Sequence, residues 1–191
     1  DFIMKGLIDT SILLKEVLNK EYGLRTDSLI SHVMIYEVPA YHKLLFLTDG
    51  GMNLEPNLEE KVKITKNAIK VCESLDYKTI KVAAIAAKEK VNPKMTATVH
   101  GDELKKMCNG GAFKRGVIVD GPLALDLAIS EEAAKIKGYN SEVAGDADII
   151  LVPNIETGNG IGKSLTYFSN SLSAGIIMGA KVPIVLVSRA D

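Results

Sequence analysis

Residues 43–86 read KLLFLTDGGMNLEPNLEEKVKITKNAIKVCESLDYKTIKVAAIA. An apolar run leads into a polar, glycine-bearing loop, then a helical pattern, then a second apolar run. In both runs apolar residues follow one another instead of alternating, which is the pattern of a strand covered on both faces. The helix between them is well marked. Asn57 supplies a cap oxygen and Glu60 stands three residues later, a capping box. Val62, Ile69 and Cys72 then fall on one helical face. A strand, a helix and a strand of this kind make a parallel βαβ unit.

Working outward, the same alternation continues along the chain. Candidate strands occupy residues 2–4, 32–37, 43–47, 81–86, 116–119, 148–152 and 183–187. Ser130, Glu131 and Glu132 open another helix, with acids where the N-terminal dipole favours them. The exception is the pair 32–37 and 43–47. Their short connection carries Pro39, so they read as an antiparallel hairpin set into the sheet. The expected class is α/β, a three-layer, mostly parallel sheet with helices on both faces.

The composition excludes several classes. At 47% hydrophobic and 25% charged, the chain is an ordinary globular sequence and not a disordered one. Lys and Arg total 23 against 24 Asp and Glu, so no global basic field is present to hold nucleic acid or an anionic membrane. Cys72 and Cys108 are too few and too far apart for a zinc motif or a disulfide framework, and read as reduced thiols of a cytoplasmic protein. The apolar stretch 174–187 is broken by Lys181 and Pro183, short of the roughly 20 residues that a bilayer span requires. No secretory signal pattern opens the chain. Both ends read as cut from something larger.

The segment Thr157-Gly158-Asn159-Gly160-Ile161-Gly162-Lys163-Ser164 approaches a phosphate-binding loop, but its first glycine sits one residue late. Its reading is a glycine-rich turn before a helix, with backbone N–H groups and Lys163 available to an anion and not to ATP. Polar residues also follow other strands: Thr10 and Ser11, Asp49 to Asn53, Asp120, and Ser188 with Arg189. Open α/β sheets place ligands at such ends. There is no GxSxG, GxGxxG or HExxH pattern. His32, His42 and His100 lack metal-like spacing and read as surface or satisfied core histidines.

Taken in order, these segments resemble the phosphate acyltransferases. The matching stretches are MKGLIDT at 4–10, DGGMNLEP at 49–56, EKVNPKM at 89–95, DGPLALD at 120–126, AGDAD at 144–148, PNIETGN at 153–159 and VPIVLVSRAD at 182–191. The stretch at 89–95 resembles the butyryl branch more than the acetyl branch.

The resemblance implies reversible acyl transfer, butyryl-CoA + phosphate ⇌ butyryl phosphate + CoA, with acyl-CoA as a substrate and no bound cofactor. It implies the two-domain fold of the isocitrate and isopropylmalate dehydrogenases. Residues 1–29 and 182–191 would belong to a first domain, its remainder absent, and 30–181 would form the second. The implied mechanism is direct attack of the CoA thiolate in a ternary complex, where positioning and charge stabilisation dominate.

In that scheme Ser188 and Arg189 are catalytic: Arg189 holds the phosphoryl oxygens and Ser188 donates to the developing oxyanion. Thr10, Asp120, Thr157, Gly158, Asn159 and Lys163 bind substrate. No thiol base is assigned. An arginine that acetyl enzymes carry in the first helix is unmatched here, Lys15 being the nearest cation.

The implied partners are small molecules, without nucleic acid or membrane, in a homodimer joined through the second domain. The hairpin, apolar on both faces, offers either that interface or a buried centre for the sheet. Two other readings remain open: an NAD-linked decarboxylating dehydrogenase of the same fold, for which Asp120 and Asp126 are a thin metal cluster, and a non-catalytic acyl-CoA or phosphate-binding module.

Overall fold

The computed structural model describes residues 1–186. The strands are β1 (Ile3–Met4), β2 (Ser31–Glu37), β3 (Leu45–Thr48), β4 (Ile80–Ile85), β5 (Val117–Leu123), β6 (Ile149–Leu151), β7 (Leu172–Met178) and β8 (Ile184–Val185). The helices are α1 (Thr10–Val17), α2 (Leu58–Ser74), α3 (Thr96–Asn109), α4 (Leu125–Ile129), α5 (Glu131–Ile136) and α6 (Ile155–Phe168). The eight strands form one sheet in the order β1-β8-β7-β2-β3-β6-β4-β5. The capping box at Asn57 and Glu60 is present at the start of α2.

The sheet is mixed, which corrects the expectation of a mostly parallel one. Strands β3, β6, β4 and β5 pair in parallel, as the βαβ pattern requires. Strand β2 runs antiparallel to both of its neighbours, β3 and β7, and β7 runs antiparallel to β8. The hairpin is therefore central. Phe46 on one face and Leu47 on the other are 0% and 2% exposed, so its two apolar faces are satisfied within this chain and give no reason of their own for a dimer. Strand β7 escaped the sequence reading because Ala174 and Gly175 dilute its β-branched signal.

Strand alternation sorts side chains to two cores. Val33, Phe46, Val82, Ile149 and Leu151 meet α2 and α3 on one face. Met34, Tyr36, Leu47, Ala83 and Ile150 meet α4, α5 and α6 on the other. A smaller cluster joins Val17 of α1 to Ile177 and Ile184. Among the described residues no helix is long and apolar enough to cross a membrane.

Candidate active site

Strand β3 ends in the turn Asp49-Gly50-Gly51. Asp49 is almost fully buried, and its carboxylate accepts hydrogen bonds from the backbone N–H groups of Gly51 and Met52, both at 2.9 Å. The Asn53 side-chain amide donates to it at 2.6 Å. These bonds fix the turn, and glycine at position 50 lets it approach α6 closely. A Cβ on Gly158 would stand 2.6 Å from the Gly50 Cα, a distance no side chain tolerates.

Between this turn, α6 and one face of β2 lies a cavity of about 310 Å³. Its rim carries Thr10, Gly50, Gly51, Gly158, Asn159 and Lys163. Its floor carries His32, Met34 and Tyr36, alternate residues of β2, with Leu47 of β3 and Leu186. Gly162 and Thr166 of α6 line it from the opposite side.

Four of the residues expected to bind substrate meet here: Thr10, Gly158, Asn159 and Lys163. Two do not. Asp120 lies on β5, where Lys105 pairs with it at 2.7 Å and Tyr139 donates to it at 3.2 Å. Thr157 is spent on capping α6: its N–H and hydroxyl both donate to the Asn154 side chain, at 3.0 and 2.7 Å. Ser188 and Arg189 lie outside the described residues, two and three positions after Leu186.

The glycine-rich segment also differs from its reading as a turn. Helix α6 begins at Ile155, so Gly158, Gly160 and Gly162 are helical. The Gly158 N–H is bonded to the Asn154 carbonyl at 3.2 Å and is not presented to an anion. The glycines thin the helix instead. Gly158 admits the Gly50 backbone, and Gly162 admits the Tyr36 hydroxyl, which would stand 2.7 Å from a Cβ there.

His32 is the residue that motif reasoning missed. It lacks metal-like spacing, but its period-two relation to Met34 and Tyr36 places all three on one strand face. Burial lowers its pKa from the ordinary 6.5, against an opposite pull from the Asp49 carboxylate. The imidazole therefore stays neutral near pH 7. Among the described residues its buried Nε2 has no hydrogen-bond partner.

Comparison with known proteins decides the family. The model of the phosphate acetyl/butaryl transferase family matches residues 1–191. The chain belongs to that family. It is 51% identical over 191 residues to the phosphate butyryltransferase of Clostridium acetobutylicum, with 100% of this chain and 63% of that protein covered. It is 46% identical over 191 residues to the phosphate acetyltransferase of Thermotoga maritima, covering 100% of this chain and 65% of that protein.

Among solved structures, a branched-chain phosphotransacylase from Enterococcus faecalis is 42% identical, with a TM-score of 0.90, covering 100% of this chain and 67% of that one. The chain thus spans less than two thirds of the length of the two curated relatives.

Proposed function

We propose that the protein of which this chain is part transfers a short acyl group between CoA and inorganic phosphate. The observation that carries this reading is the cavity: a rim with a lysine and an asparagine amide stands directly over an apolar strand face. An acyl phosphate has the same two ends. In the CoA-acylating direction the thiol sulfur bonds to the carbonyl carbon, the carbon–oxygen bond to phosphate breaks, and its electron pair leaves with phosphate. The thiol proton is the only other atom to be moved. Arg189 holds the phosphoryl oxygens, Ser188 donates to the oxyanion, and Gly158, Asn159, Lys163 and Thr10 line the site.

The relatives' names and the family match support this reading over the dehydrogenase. Asp120 and Asp126 are engaged by Lys105 and Lys137, at 2.7 and 2.9 Å, and do not form the open aspartate cluster that a metal would need.

The finer readings belong to the same proposal. The whole protein has the two-domain fold of the isocitrate and isopropylmalate dehydrogenases, with residues 1–29 and 182–191 in the first domain and 30–181 in the second. It works in the cytoplasm as a homodimer and takes only small-molecule substrates, with CoA as substrate and no bound cofactor.

The test is thiol release from butyryl-CoA by the full-length protein, with and without phosphate. Phosphate-dependent release is expected. Hydrolysis independent of phosphate, or binding without turnover, would refute the transferase reading. In Arg189→Ala, kcat should fall more than KM rises, because the guanidinium acts on charge that develops in the transition state. Near-normal turnover in that variant would remove Arg189 from the site.

A further inference from the structure

The reading above leaves the acyl group unspecified, and the cavity floor bears on it. His32, Met34 and Tyr36 project from one face of β2, so the floor runs along the strand from the Gly50-Gly51 turn to the Tyr36 ring. His32 stands at the turn end and the Tyr36 hydroxyl at the other, beside Gly162. Beyond His32 the floor is made by Met34 and Leu47, 8% and 2% exposed. The far end is closed by contact between strand and helix: the Tyr36 hydroxyl stands 2.7 Å from where a side chain on Gly162 would begin.

On its other side Met34 packs directly on Gly175 of β7. A Cβ there would stand 2.9 Å from the Met34 sulfur and closer still to the Leu186 carbonyl oxygen, so the thioether's free side is the cavity. An unbranched thioether adapts to different neighbours better than a branched side chain.

The cavity of about 310 Å³ extends past its rim over the apolar Met34 and Leu47. A longer acyl chain covers more of that floor than a two-carbon one. Apolar floor left wet forgoes the gain of about 0.8 kcal/mol per buried methylene.

We propose that Met34, Leu47 and Tyr36 form the acyl-chain subsite, and that Met34 sets the length of chain it accepts. This rests on the transferase reading. A phenylalanine at position 34 shortens the floor, and an alanine deepens it by the volume the thioether now fills. Ile35 is the control: it lies on the same strand but packs against the opposite core.

The experiment measures kcat/KM for acetyl-, butyryl- and hexanoyl-CoA with saturating phosphate, using the full-length protein. In Met34→Phe the butyryl-to-acetyl ratio should fall about tenfold or more, since one methylene in an apolar pocket is worth ~10–200-fold in discrimination. In Met34→Ala the hexanoyl-to-butyryl ratio should rise by about tenfold. Ile35→Val should leave both ratios where they are.

If both Met34 variants lower every chain length equally, Met34 only packs and the proposal is overturned. If the unsubstituted protein transfers no acyl group of any length, the transferase reading itself fails. Should the phenylalanine variant not fold, the alanine variant still decides: an unchanged hexanoyl-to-butyryl ratio overturns the proposal.

Discussion

Around Asp146 and Asp148, charge meets counter-charge. Asp146 is held by His42 at 2.7 Å, Lys43 at 2.8 Å and Lys81 at 2.6 Å. Asp148 is held by Lys43 and by the Lys81 N–H, at 2.8 and 2.7 Å. Burial raises the Asp146 pKa, but the bonds from Lys43, Lys81 and His42 outweigh it and hold the carboxyl well below the usual range. On the cavity wall, Lys163 stands exposed without an ion pair among the described residues, and the His32 Nε2 is unmatched. Both regions are polar and both flank β3. One cluster has spent its hydrogen-bonding capacity on the fold. The other retains it, and unpaired groups on a cavity wall are what a ligand can complete.

That contrast can be broken from its strong side first. Asp148→Ala removes one of the two carboxylates that Lys43 holds and leaves it Asp146, so the cost is that of a charge-assisted hydrogen bond, about 1.5–3 kcal/mol. In a domain of this size that lowers Tm by about 5–10 °C, while kcat of the protein that remains folded is unchanged. Thermal unfolding combined with turnover per folded molecule checks both halves. A loss of kcat with Tm intact would mean that the cluster belongs to the site.

Lys163→Ala should do the opposite. Lys163 holds no structural partner among the described residues, so Tm should stay within a degree or two. Phosphate-dependent kcat/KM should fall about tenfold to a hundredfold, the effect of one hydrogen bond to a charged group. If stability and activity fall together, Lys163 is part of the fold and the contrast dissolves.

The smallest effect sharpens the role of His32. Its folded pKa lies below the unfolded value of 6.5, so the unfolded chain takes up the proton first on acidification. The stability given by the neutral ring is complete above about pH 6.5 and is lost as pH falls toward the folded value. Tm measured between pH 7.5 and 5 should decline in the unsubstituted protein and decline less steeply in His32→Gln. A remaining slope is expected from His100, whose pKa burial and Lys61 also lower. Identical slopes would show that the ring takes up its proton in the fold without cost.

These residues also show what was legible in the sequence. Runs such as 44–47 and 82–86 announced covered strands because side-chain polarity alone encodes burial on both faces. The capping box at Asn57 was legible because a cap is local, its two partners only three residues apart. The direction of β2 relative to β7 was not, since pairing across so long a separation leaves no local trace. The glycines at 158, 160 and 162 misled for a related reason. A glycine that serves a turn and one that admits a neighbouring backbone look alike until the neighbour is known, and here the neighbours are Gly50 and Tyr36. Thr10, which follows a strand, and Asn159 and Lys163, which lie in the glycine-rich segment, are at the cavity as expected of them. His32, Met34 and Tyr36 were missed because they lie within a strand, where polarity reads as core and not as a cavity floor.

The central place of β2 bears on how the chain comes to be folded. Its partner on one side, β3, follows within a few residues, but its partner on the other, β7, is synthesised on the order of 140 residues later, and long-range pairing of that kind is slow. During translation the hairpin of β2 and β3 presents two bare edges, apolar on both faces: that of β3 until β6 follows, and that of β2 until β7 does. Such an edge is a template for adventitious pairing. The vulnerable interval in the life of this protein is therefore the time between the appearance of Glu37 and that of Leu172, its register partner on β7.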